Sequence, residues 1–118
     1  MKVTITTKPT IESLRDKFGR LPAKITDAIE IATKKGAYVV EAESKKRTPV
    51  DTGRLRSSIF TTIYKKYAVV EPKTNYALAV HEGTEFTKAR PYMKEGAENA
   101  GKEINEIFQN EIQKVLVD

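Results

Sequence analysis

The chain has 118 residues, 39% of them hydrophobic and 31% charged, with a net charge of +5, no cysteine and one histidine. That length suits one domain over residues 1–118, with enough Ile, Val and aromatic residues for a core of moderate size. Without cysteine there is no disulfide, thiolate chemistry or Cys-ligated zinc, and the lone His81 excludes a His-pair metal site and a multi-histidine relay.

Val3-Thr4-Ile5-Thr6 alternates as a short strand. Pro9-Thr10 opens a short helix with Thr10 as N-cap, Ile11, Leu14 and Phe18 on one side, and Gly19 at its end. Pro22 suits the first turn of a second helix. There Ile25, Ala28, Ile29, Ala32, Gly36, Val39 and Val40 form one apolar stripe that runs to about Arg47, before Thr48-Pro49. A second, weaker line on this helix, Ile31, Tyr38 and Ala42, lies well round from the first and predicts a second packing partner. Residues 55–64 alternate, with Leu55, Ile59 and Ile63 on one face and Phe60 and Tyr64 on the other. Lys65-Lys66 turns the chain into Tyr67–Glu71, and Tyr76–His81 alternates again after turn residues 72–75. These three segments read as an antiparallel meander. After a loop from Glu82 to Arg90, Pro91 precedes a helix from about Met93 to Val117 with one clean apolar stripe. The predicted fold is α+β: an antiparallel sheet of three to four strands, with a long central helix and a long C-terminal helix packed on one face.

A helix from Pro22 to Arg47 spans ~39 Å, more than the ~35 Å breadth expected of a compact chain of this size. Either it breaks at Gly36 or the subunit is elongated and packs on neighbours; the second stripe favours neighbours. Charge is also uneven. Residues 1–66 hold 15 Lys/Arg against 7 Asp/Glu, and residues 67–118 hold 6 against 9.

Three motifs invite a chemical reading. Asp51-Thr52-Gly53 matches the triplet of dimeric aspartic proteases, whose paired carboxylates share a proton. Here it follows a basic helix, and Arg54 stands where a small residue belongs. An Asx-turn that stops the helix explains it as well. His81-Glu82-Gly83-Thr84-Glu85 lacks the second histidine of a zinc helix motif. Lys45, Lys46, Arg47, Arg54, Arg56, Lys65 and Lys66 are expected to cluster at one pole, where a small basic nucleic-acid-binding module is the alternative reading. No base-reading motif accompanies them. Glu82 and Arg90 flank one loop and are placed to pair. No catalytic residue, cofactor or metal ligand is assigned.

A long helix running into Thr48-Pro49-Val50-Asp51-Thr52-Gly53-Arg54-Leu55-Arg56-Ser57-Ser58-Ile59 is followed by Tyr76-Ala77 with Val80, His81, Glu82, Gly83 and Thr84. Then come Ala89-Arg90-Pro91-Tyr92-Met93 and a terminal helix. This ordered trio, over about residues 20–115, resembles the tail-completion or head–tail joining proteins of tailed bacteriophages, the HK-type gene-product-ten-like family. His81 stands where an aromatic or aliphatic residue is more usual, and Tyr92 where Phe is common. The resemblance implies a non-enzymatic virion protein of the neck or tail, assembled in the bacterial host cytoplasm. It implies a homo-oligomeric ring, sixfold like the tail, through which DNA passes without being read. Its neighbours would be a head-completion or portal-side adaptor and a tail tube or tail terminator protein, with no membrane contact. On that reading Thr48 to Leu55 form a rigid corner. Tyr76, Glu82, Gly83, Thr84, Arg90, Pro91 and Tyr92 shape an interface loop. Ile31, Tyr38 and Ala42 contact the next subunit, and Lys45, Lys46, Arg47, Lys65 and Lys66 face the lumen or an acidic partner.

Overall fold

Two helices of 25 residues, α2 (Ala23–Arg47) and α5 (Tyr92–Leu116), set the long dimension of the molecule in the computed structural model, which describes residues 2–49, 53–85 and 88–116. They run antiparallel: Ser44 meets Gly96, Gly36 meets Ile104, and Lys35 pairs with Glu111. Small residues let the axes approach. A Cβ on Gly96 would lie 2.7 Å from the Ser44 backbone, closer than real atoms come. α2 does not break at Gly36. The molecule is elongated instead, 54 × 23 × 22 Å, with a radius of gyration of 16.5 Å against the ~13 Å of a compact chain.

The ends of α2 follow from local chemistry. Pro22 supplies an extended N-cap. At the other end Thr48 turns extended before Pro49, its hydroxyl donating to the Ser44 carbonyl at 2.7 Å, and Lys45, Lys46 and Arg47 complement the helix dipole. The first helix, α1 (Lys8–Phe18), starts a turn earlier than expected, after Thr7 rather than Thr10, because proline is tolerated in a first turn. Gly19 at φ +75° ends it.

The sheet has three strands in the order β1-β3-β2: β1 (Val3–Thr6), β2 (Phe60–Ile63) and β3 (Tyr67–Glu71), all antiparallel neighbours. The N-terminal strand supplies the third member. Residues Tyr76–His81, expected to do so, form a short helix, α4 (Ala77–Glu82). Over six residues an alternating and a helical pattern cannot be told apart. Here Ala77 is buried, Val80 and His81 are half-buried, and Leu78 and Ala79 are exposed, which is helical periodicity. The strand expected from residue 55 begins only at Phe60. Gly53, at φ +75°, starts a helical turn instead, α3 (Arg54–Ser58), closed by Ser57 N–H on the Gly53 carbonyl and Ser58 Oγ on the Leu55 carbonyl.

α2 covers one sheet face, with Ile5, Ala68 and Val70 beneath it, and α5 packs chiefly on α2. The principal core joins Val40, Leu55, Ile59, Val70, Ala77, Tyr92 and Met93. A second cluster, Ile11, Ile25 and Ile29 with Phe108 and Ile112, binds α1 to the far ends of the long helices.

Candidate functional site

The three motif segments, distant in sequence, meet at the end of the molecule where α2 stops and α5 starts. Leu55, Ala77 and Tyr92 lie in one core. Tyr92 is fully buried, and its hydroxyl donates to the Ala77 carbonyl at 3.1 Å. Burial, aided by the nearby Tyr76, pushes its phenol up to about 12. The His81 ring stands edge-on to Tyr92 at 5.3 Å, and burial lowers its pKa against the opposing pull of Glu82 and Glu95. The Arg54 guanidinium lies 5.9 Å over the Tyr76 ring, linking the first motif to the second. Gly83, at φ +81°, ends α4, and Arg90 N–H donates to the Val80 carbonyl at 3.0 Å, tying the third motif to it. Glu82 and Arg90 are both exposed and do not pair; that backbone bond closes the loop instead. Thr84 is exposed and Pro91 is half-buried beside Tyr92. Thr48 is buried, Pro49 half-buried, and Gly53 takes a left-handed conformation. Val50, Asp51 and Thr52 lie outside the described residues, and the α+β fold around them differs from the nearly all-β aspartic proteases.

The basic residues do not all gather at one pole: Arg54 and Arg56 of α3 stay at the end where α2 stops, but Lys65 and Lys66 do not. Lys45 pairs with Glu41 at 3.5 Å, and Lys46 and Arg47 pair with Glu43 at 3.2 and 2.6 Å. Hydrogen bonds from Arg47 and then Lys46 hold the Glu43 carboxyl below its usual range. Lys65 and Lys66 form the tip of the β2–β3 hairpin, at the other end of the sheet. There Thr7 N–H reaches the Lys66 carbonyl, and Lys65 borders a shallow cavity with Asp27, Glu30, Ile31 and Lys34. The two groups are roughly 20 Å apart along α2. The hairpin had to be placed on α2 before this separation could be seen. Among the described residues no group of three His, Asp or Glu side chains is placed to hold a metal ion.

The pattern that brings these motifs into one core is matched by a family model. Residues 12–90 match the family described as "Bacteriophage HK97-gp10, putative tail-component". The chain belongs to the HK97-gp10-like family. No curated protein and no solved structure matches it. The match runs from α1 to Arg90 and so covers the first two motifs, while α5 lies beyond it.

In this HK97-gp10-like tail component the weaker stripe of α2 is left uncovered by the chain itself. Ile31 is 46% and Tyr38 47% exposed, and Ala42 is exposed as well. Ile63 of β2, 38% exposed, borders the same cavity as Ile31 and extends the stripe onto the sheet. The alternation puts Ile63 on one face with Leu55 and Ile59, which are buried. Its periodicity is right, but it sits at a sheet edge where α2 no longer covers it. The outer sheet face is open too, with Phe60, Tyr64 and Tyr67 exposed and the two tyrosine rings stacked at 4.5 Å.

Proposed function

We propose that this tail component is a structural ring subunit of the virion neck. It would join tail to head and let DNA pass through a sixfold channel, with no catalytic step of its own. The observation that carries the reading is the α2 stripe of Ile31 and Tyr38, large apolar side chains on a helix that its own chain leaves unpartnered. A ring needs one face of each subunit to meet a different face of the next. The excess of cations before residue 66 and of anions after it supports such head-to-tail steering. The motif end would be the rigid joint, with the exposed Glu82 and Thr84 of its loop offered to a head-completion or portal-side adaptor, or to a tail tube or terminator protein. Lys65 and Lys66 would face the lumen or an acidic neighbour. Assembly would take place in the host cytoplasm and end in the virion.

The nucleic-acid-module reading loses support because Glu41 and Glu43 already engage the basic end of α2. Two measurements test the ring. Light scattering after gel filtration should give a discrete mass near six subunits at high concentration; a strict dimer would overturn the reading. Deleting the gene should leave filled heads and separate tails in the lysate, whereas normally joined particles would remove the joining role.

A further inference from the structure

Both lateral edges of the sheet are open, and the register shows which backbone groups they present. Antiparallel partners alternate between hydrogen-bonded and non-bonded pairs. Tyr64 N–H donates to the Tyr67 carbonyl at 2.9 Å, so with the observed register Thr62–Val69 and Phe60–Glu71 are the bonded pairs of β2. Thr61 and Ile63 therefore turn their N–H and C=O groups away from β3. On the other side Thr7 N–H donates to the Lys66 carbonyl, so Ile5–Ala68 and Val3–Val70 are the bonded pairs of β1. Thr4 and Thr6 turn theirs outward. Neither strand carries a proline or a bulge, the usual protections of an edge.

β1 and β2 are each antiparallel to β3 and so run in the same direction. A neighbouring copy that keeps this strand direction, as in a ring, sets its β1 parallel to the first copy's β2. A two-fold dimer would instead pair like with like, β2 on β2 or β1 on β1, antiparallel. The two edges can thus join copies without limit only as unlike partners.

What flanks the edges also differs. Beside β2 stand Ile31, Tyr38 and Ile63, with Lys34 and Lys65 exposed and in no ion pair among the described residues; Asp27, Glu30 and Glu41, which accepts from the Thr61 hydroxyl at 3.1 Å, are acidic groups there. On the β1 side lies α5, where the exposed Glu95, Glu98, Glu103 and Glu106 outnumber the exposed Lys94, Lys102 and Lys114 by one. The exposed apolar stripe thus stands by the β2 edge, and the acid-rich α5 by the β1 edge, where Lys8, Arg15 and Lys66 also lie, so the two edges are unlike.

We infer that the β2 edge of one copy, with the Ile31–Tyr38 stripe beside it, takes up the β1 edge of a second copy of this chain, so that the sheet continues from subunit to subunit. The inference rests on the ring reading above and names its joint. Each edge is only four residues long, so backbone pairing alone is weak and the apolar contact must supplement it. Association is therefore steeply dependent on concentration.

Two proline variants test this, since each removes an outward N–H without touching the ladder to β3. Ile63→Pro spoils the β2 edge and Thr4→Pro the β1 edge. Each alone should be a folded monomer by circular dichroism and light scattering. An equimolar mixture should give a dimer of one copy of each, because a single intact junction remains. A variant that still self-dimerises would mean like-with-like pairing and overturn the inference. Rings formed by both variants as readily as by the wild type would overturn edge pairing while leaving the ring reading intact. A wild type that stays monomeric at every concentration would overturn both. Should a proline variant fail to fold, Ile31→Gln, on an exposed helical face, is expected to weaken ring formation at least tenfold, and an unchanged ring would count against the inference.

Discussion

The two ends of the molecule are held together in different ways. At the motif end a fully buried tyrosine, a hydroxyl-capped helix terminus and a left-handed glycine lock four helices and a sheet around one core. At the other end a single 11-residue helix, α1, rests on the long pair through Ile11, Ile25 and Ile29. An open apolar cleft, lined by Leu14, Leu21, Ile25, Ile112 and Val115, remains beside it. The most recognisable residues of this chain are thus largely architectural. The surfaces open to other molecules, the α2 stripe and the sheet edges, lie mostly outside the motifs.

The largest expected effect breaks the motif end. Tyr92→Ala removes a side chain with no exposure and should cost about 3–5 kcal/mol in urea unfolding. Tyr92→Phe keeps the ring and removes only the hydroxyl's hydrogen bond to the Ala77 carbonyl, so about 1 kcal/mol is expected. If the alanine variant lost no more than the phenylalanine one, the motif end would not be the better-packed region.

Gly96→Ala comes next. Its Cβ would collide with the Ser44 hydroxyl and also with the Ser44 backbone, which cannot swing aside, so the helices must separate. Overpacking of this kind costs about 1–3 kcal/mol. Gly36→Ala is the control, because its Cβ would meet Ile104 at an ordinary 3.5 Å. A larger thermal destabilisation at Gly36 than at Gly96 would contradict the packing described.

Much of this was legible in the sequence. The two long helices, the hairpin at Lys65-Lys66 and the second stripe all follow from periodicity over many residues. The short elements were not: α3 and α4 span five and six residues, and so few positions do not separate a period of 2 from 3.6. Alanine at 77 and 79 and glycine at 53 were the available signals for helix. The pole of cations failed for another reason. Adjacent charges on α2 found acidic partners one turn back, at Glu41 and Glu43, a spacing visible in the sequence, while the position of Lys65 depends on long-range packing. The role of Ile63 depends on being at an edge, which no local pattern encodes.

The response to pH sharpens the contrast. Tyr92 holds its proton up to about 12 against a phenol's usual 10, so its contribution is full below pH 10 and lost as pH rises toward 12. Tyr92→Phe should abolish that alkaline step. His81, lowered by burial, favours the native state above its usual 6.5, and that advantage falls away on acidification below it. Towards the other end, Glu111 is held below its usual 4.5 by Lys35 and then Lys114. Its contribution is present above pH 4.5 and lost as pH falls through the lowered value, so Glu111→Gln should flatten the acid limb alone. Melting temperature against pH for these two variants and the wild type separates the steps.

The smallest effect on stability is expected at the stripe. Tyr38 is 47% exposed and its own chain gives the ring little to pack on, so Tyr38→Ser should change unfolding free energy by no more than about 0.5 kcal/mol. Self-association should nonetheless weaken, because an apolar side chain that contributes little to the monomer still gains from burial between copies. This pairing of outcomes is the reverse of that expected at Tyr92, where the monomer itself is lost. Sedimentation of Tyr38→Ser beside its chemical denaturation curve reads both quantities. Unchanged association with an unchanged denaturation curve would mean that the stripe ends before Tyr38 and that contact is confined to Ile31 and Ile63.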